Sequence, residues 1–172
     1  MRLFLALDPP REAVDHVVAA LGPLREAHPS LRWVDADRWH LTLAFYGEVP
    51  DDRVDRLRRR IGRQVGAQPA LDLSFAGAGR FGHRVLWVGV GGPGVDALRR
   101  LGRRVSVEDK PYRPHLTVAR VRERADLAPV VEGLRGYEGP PWRAGAVHLV
   151  RSFLGPRPRY EDVGSWPLTD RH

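Results

Sequence analysis

At 172 residues, 42% apolar and 28% charged, the chain is long enough to bury one core and too balanced in composition for a disordered or fibrous protein. It has no cysteine, which excludes disulfides, thiolate metal sites and a cysteine nucleophile together, and no apolar run approaches the ~18 residues of a membrane span. Lysine and arginine outnumber aspartate and glutamate 28 to 21, giving a formal charge of +7, and Lys110 is the sole lysine; arginine's planar fork suits phosphate, so the balance points towards a nucleotide or nucleic-acid partner.

In chain order, residues 2–8 read as a strand ended by Pro9 and Pro10. This opening segment is too short for a signal-peptide core, and a cytoplasmic protein is expected. Val14, Val17, Val18, Leu21 and Leu24 recur at helical spacing from about Arg11 to Ala27. A short strand is predicted at residues 31–34, a connection at 35–39 and a strong strand from His40 to Gly47. Asp51 or Asp52 is then placed to cap a helix with Val54, Leu57, Ile61 and Val65 on one side and Arg53, Arg56, Arg60 and Arg63 on the other. Further strands are expected at 71–75, 81–90 and 115–121, with helices over 95–105 and 126–134. Residues 142–153 and 159–168 read as two closing strands. Interspersed strands and helices without a long parallel run indicate an α+β fold in a single domain spanning 1–172.

One internal echo stands out. His40-Leu41-Thr42-Leu43-Ala44 returns 75 residues later as His115-Leu116-Thr117-Val118-Ala119, each copy opening a strand. Two similar lobes about a pseudo-twofold axis follow from it. On a strand, residues i and i+2 share a face. His40 and Thr42 therefore point one way while Leu41 and Leu43 point into a core, and the second copy repeats this with His115 and Thr117.

If the lobes face each other, two imidazoles and two hydroxyls meet across one groove. That set suits phosphodiester cleavage without a metal. Imidazole titrates near neutrality, so one histidine can take a proton from an attacking water while the other gives one to the leaving oxygen. Threonine hydroxyls can donate to the non-bridging phosphate oxygens, where charge gathers in the transition state. A metal site would want carboxylates or further histidines beside the pair, and the motif supplies threonines, so neither a metal nor another cofactor is expected. His16, His28, His83, His148 and His172 have no repeated context and read as surface or structural residues.

The two His-x-Thr-x motifs resemble those of the two-histidine phosphoesterases. The segments Arg2 to Leu7, Trp39 to Val49, Arg84 to Val90 and Arg113 to Arg120 are similar, more narrowly, to the RNA 2′,3′-cyclic phosphodiesterases, also called RNA 2′-5′ ligases (LigT- or ThpR-like). The resemblance runs in order from residue 2 to about residue 168. It implies a bilobal α+β fold of two pseudo-symmetric lobes, with antiparallel sheets facing a central groove and helices outside. It also implies hydrolysis of an RNA terminal 2′,3′-cyclic phosphate to a 2′-phosphomonoester, with 2′-5′ ligation as the reverse use of the same groups. His40 would then be the general acid and His115 the general base, with Thr42 and Thr117 on phosphate oxygens. Arg120 matches a family arginine near the phosphate. Phe4 matches a family aromatic that stacks on the terminal base, although strand parity equally allows its burial. Tyr46 stands where an aliphatic residue is expected.

The expected substrates are RNA with a cyclic-phosphate end and small cyclic nucleotides, handled by a monomer with no membrane and no obligate protein partner. The competing reading is a non-catalytic nucleotide- or RNA-binding module that uses the same groove. The tryptophans read as core, Trp39 included, because alternation turns it away from His40. The arginine face near residues 53–63 reads as solvated, with RNA tracking as its alternative, and Arg113 either steers substrate or flanks its strand.

Overall fold

Two antiparallel sheets carry the fold in the computed structural model, which describes residues 1–123 and 125–170. The first is built from both ends of the chain: β1 (Arg2–Leu7), β3 (Leu41–Glu48), β8 (Ala146–Phe153) and β9 (Arg159–Pro167), in the order β3-β1-β8-β9. The second comes mostly from the middle: β2 (Arg32–Trp33), β4 (Leu71–Phe81), β5 (Val85–Gly91), β6 (His115–Arg120) and β7 (Trp142–Ala144), in the order β2-β6-β5-β4-β7. β3 and β6, the strands that carry the repeated motif, touch where the sheets meet.

The helices α1 (Arg11–Ala27), α2 (Val54–Val65), α3 (Val95–Val105) and α4 (Ala128–Gly133) bury apolar stripes into one continuous core that includes residues of both sheets. α1 contributes Ala13, Val17 and Leu21; α2 contributes Val54, Ile61 and Val65; α3 contributes Leu98, Leu101 and Val105. Side chains of this size stabilise the fold by about 1.5–3 kcal/mol each when fully buried. Truncating Leu101 to alanine at this fully buried position should cost about 2–5 kcal/mol.

Three expectations are corrected. Neither Asp51 nor Asp52 caps α2 through its side chain; both lie in a 3-10 turn that leads into the helix, and Asp51 instead faces the N-terminal ammonium at 3.7 Å. β4 runs on to Phe81 rather than stopping at residue 75. Its second half, Ala76-Gly77-Ala78-Gly79, lacks apolar alternation because the Trp87 ring lies where a Cβ on Gly79 would stand, so only a bare backbone fits. Residues 142–153 are two strands and not one. The chain breaks at Gly145, with β7 pairing β4 in the second sheet and β8 joining β1 and β9 in the first.

Candidate active site

A groove of about 450 Å³ runs between the sheets, and His40, Thr42, His115 and Thr117 all line it. Each histidine is fixed in the same way. The His40 Nδ1 lies 3.1 Å from the Arg38 carbonyl, and the His115 Nδ1 lies 2.7 Å from the Arg113 carbonyl. A carbonyl only accepts, so Nδ1 carries the proton in both rings and Nε2 is the nitrogen left for chemistry. The echo is therefore longer than its apolar core suggests: Arg38-Trp39-His40 and Arg113-Pro114-His115 make the same two-residue loop-back. Arg113 serves through its backbone. Neither threonine hydroxyl has an intramolecular partner among the described residues, which leaves both free to donate.

Matched β-bulges follow both motifs. Leu5 and Ala6 of β1 oppose Ala44 and Thr42, leaving Leu43 as an extra residue; Leu86 and Trp87 of β5 oppose Ala119 and Thr117, leaving Val118 extra. A bulge resets the alternation of faces. By strict parity Arg120, five residues after His115, would face away from it; the bulge turns Arg120 into the groove, and its counterpart turns Phe45 in as well. His40, Thr42 and Phe45 thus mirror His115, Thr117 and Arg120.

Each imidazole sits among aromatic rings. His40 makes edge contacts with Phe4 at 5.3 Å and Tyr160 at 4.8 Å between centroids; His115 does so with Phe81 at 4.8 Å, and Trp87 lies 6.4 Å away. Of the two alternatives at Phe4, burial is observed. Its ring forms part of the groove wall but is only 6% exposed, stacked beneath Phe45 and against Tyr160, so it offers little face to a base. Phe45, 40% exposed and covered on one side by the Arg2 guanidinium at 4.9 Å, is the outward ring.

The electrostatics of the two histidines differ. Burial pushes both below the ordinary imidazole value. At His40 the depression is opposed by Asp8, by the bond to the Arg38 carbonyl and by Asp162, while His148 adds to it. At His115 the bond to the Arg113 carbonyl opposes burial, and the charge of Arg120 lowers the ring further. The acidic side of His40 has its own order: His148 sits between two carboxylates, with Asp162 3.3 Å from its Nδ1 and Asp8 3.7 Å from its Nε2.

Arg2, Arg32, Arg38 and Arg120 rim the groove, and no carboxylate is among its described lining residues. Two tyrosines secure the surrounding frame. The Tyr112 hydroxyl donates to the Thr42 carbonyl at 2.8 Å, tying the loop before β6 to β3, and its ring packs where Gly102 leaves no Cβ. The Tyr46 hydroxyl donates to the Val105 carbonyl at the end of α3, a bond no aliphatic residue makes, and burial pushes its pKa up to about 12. Trp39 is buried, its indole donating to the Val34 carbonyl.

Phe45, Arg2, Arg32, Arg38 and Tyr160 in the groove lining, and the Asp8–His148–Asp162 group beside His40, carry no motif that marks them in the sequence. The only available signal for Phe45 was its place in the repeat, where it corresponds to Arg120.

The profile of the 2′-5′ RNA ligase superfamily matches residues 9–154. An RNA 2′,3′-cyclic phosphodiesterase of Methanothermobacter thermautotrophicus is 31% identical over 95% of this chain and 96% of its own length. Its counterpart from Escherichia coli is 31% identical, covering 98% and 97%. Among solved structures, E. coli LigT without ligand superposes with a TM-score of 0.78 at 28% identity, with 98% of each chain covered.

Proposed function

The chain belongs to the 2′-5′ RNA ligase superfamily, and on that footing we propose that it hydrolyses the 2′,3′-cyclic phosphate at an RNA end to a 2′-phosphomonoester, with small cyclic nucleotides as further substrates. The observation that carries this reading is the pair of imidazoles, each anchored through Nδ1, presenting Nε2 to one arginine-rimmed groove.

In the reaction, the His115 Nε2 takes a proton from water as the water oxygen bonds to phosphorus. The bond from phosphorus to the 3′ oxygen breaks, and the His40 Nε2 gives its proton to that oxygen. The two rings exchange protonation states, and solvent restores them. The Thr42 and Thr117 hydroxyls and the Arg120 guanidinium donate to the non-bridging oxygens, where charge builds.

The neighbours of the rings support this division of labour. The acid must hold its proton, and carboxylates stand near His40; the base must be free, and a guanidinium stands near His115. Phe45, partly exposed on the groove wall between Phe4 and the Arg2 guanidinium, offers an apolar edge to the terminal base or ribose. A 5′-hydroxyl in place of water makes the same groups join two RNA ends through a 2′-5′ bond. Every group the reaction uses comes from one chain, which supports action as a monomer, and no described helix is long and apolar enough to cross a membrane.

Incubating RNA bearing a 2′,3′-cyclic phosphate with the protein in chelator, and locating the product by phosphorus NMR, tests the reading. Phosphate on the 2′ oxygen is expected. A 3′-phosphate would reverse the leaving-group assignment, and tight binding without turnover would replace the enzyme by the binding module.

A further inference from the structure

The basic surplus of the chain is not spread over its surface. α2 and α3 together hold nine arginines and two aspartates, a surplus of seven, which equals the formal net charge of the whole protein. The rest of the chain is neutral in sum.

These helices lie side by side and are locked in register by reciprocal bonds. The Gln64 side chain donates to the Arg104 carbonyl at 2.9 Å, and the Arg104 guanidinium donates to the Gln64 carbonyl at 2.8 Å. Arg58 and Arg99 are answered by Asp55 and Asp96. Arg56, Arg59 and Arg63 on α2, with Arg100 and Arg103 on α3, are exposed and have no carboxylate within ion-pair distance among the described residues. Unanswered like charges at helical spacing repel one another and destabilise the helices that carry them.

The face also lacks the features of other partners. Among the described residues Phe45, Val107 and Leu154 are the exposed large hydrophobic ones, and none lies on either helix, so this face presents no large apolar anchor for a protein interface or a bilayer. Beside Arg58 and Arg59 a recess of about 360 Å³ has Trp166 on its wall; its one carboxylate, Asp55, is paired with Arg58, which leaves Arg59 for a phosphate and the indole for a base of a single strand. Neither helix contributes to the lining of the catalytic groove.

We propose that this two-helix arginine face is a second nucleic-acid site that holds the phosphate backbone of single-stranded RNA independently of its end. The choice of RNA rests on the function proposed above; the site itself does not. It would raise the enzyme's affinity for long RNA over cyclic mononucleotides.

The test uses an RNA oligonucleotide ending in a plain 3′-hydroxyl, which is not a substrate, and the protein with Arg56, Arg59, Arg63, Arg100 and Arg103 changed to glutamine. Binding is expected to weaken at least about tenfold at low salt, and the slope of log affinity against log salt to shrink by about 0.7 for each phosphate that the variant no longer neutralises. Hydrolysis of a 2′,3′-cyclic mononucleotide should be unchanged and the melting temperature no lower. The triple variant R56Q/R59Q/R63Q should lie between the two.

Equal affinity and slope in wild type and variant overturns the proposal. So does RNA binding that is lost in Arg120→Gln and kept in the five-site variant, or a variant-sensitive affinity for phosphatidylserine vesicles without one for RNA. Failure of the function proposed above would show separately, as absent turnover of the cyclic mononucleotide.

Discussion

Gly79 has no side chain, yet His115 depends on it. A Cβ built there would stand 2.2 Å from the Trp87 Cζ2 and 2.5 Å from its Cη2. Restoring an ordinary 3.4 Å contact requires the indole to retreat by the difference, 1.2 Å. Trp87 has little room for this: Phe81 packs on it at 5.6 Å, and both rings flank His115. Gly79→Ala should therefore destabilise the protein by the usual overpacking cost of about 1–3 kcal/mol. At this chain length that lowers the melting temperature by about 2–12 °C. It should also displace the His115 imidazole, and misplacing a catalytic group by an ångström reduces turnover on the order of a hundredfold. Hydrolysis of a cyclic-phosphate substrate, assayed beside thermal melting, reads both effects. The double variant Gly79→Ala/Trp87→Phe removes the ring that clashes. The indole Nε1 is buried with no hydrogen-bond partner among the described residues, so phenylalanine forfeits no bond there. Stability and rate should both recover in part. A Gly79→Ala protein with wild-type melting and turnover, or a double variant no better than the single, would refute this coupling.

Replacing His40 or His115 by alanine should each lower turnover about 10²–10⁴-fold with the fold intact by circular dichroism. Turnover against pH should be bell-shaped, its acid limb set by the base His115 and its alkaline limb by the acid His40. Asp162→Asn removes a charge that favours protonated His40, so the alkaline limb should move to lower pH; Arg120→Gln removes one that favours neutral His115, so the acid limb should move to higher pH. Both changes narrow the bell, and movement of either limb the other way contradicts the assignment. Tyr112→Phe deletes the bond to the Thr42 carbonyl and should cost about 0.5–1.5 kcal/mol in a chemical melt, with a fall in kcat larger than any change in KM. Gly102→Ala, whose Cβ would stand 2.3 Å from the Tyr112 ring, should be the more damaging to stability in the same melt.

Much of this architecture was legible because local pattern and tertiary role agree. The apolar stripes of α1, α2 and α3 are the faces they bury, and the repeated His-Leu-Thr brings four polar side chains into one groove because strand parity survives from His40 to Thr42 and from His115 to Thr117. Parity fails immediately afterwards. Nothing local in Leu43-Ala44 or Val118-Ala119 announces a bulge, yet the bulges bring Phe45 and Arg120 to the groove. The resemblance supplied Arg120, and no alternation argument could have. The second half of β4 was hidden for the opposite reason. Its glycines look like a loop in isolation and make sense only beneath Trp87 and beside Gly89, whose own added Cβ would meet the Ala76 carbonyl at 2.5 Å. Asp8, His148 and Asp162 are 14 to 154 residues apart in sequence; only the pairing of β1 and β9 with β8 assembles them.

The division of labour between the two imidazoles rests on one asymmetry, carboxylates near one ring and a guanidinium near the other. Histidine-selective NMR titration of the substrate-free protein measures it without reference to turnover. The account predicts that His40 keeps its proton to higher pH than His115, and that Asp162→Asn narrows the gap. His115 titrating above His40 would contradict it.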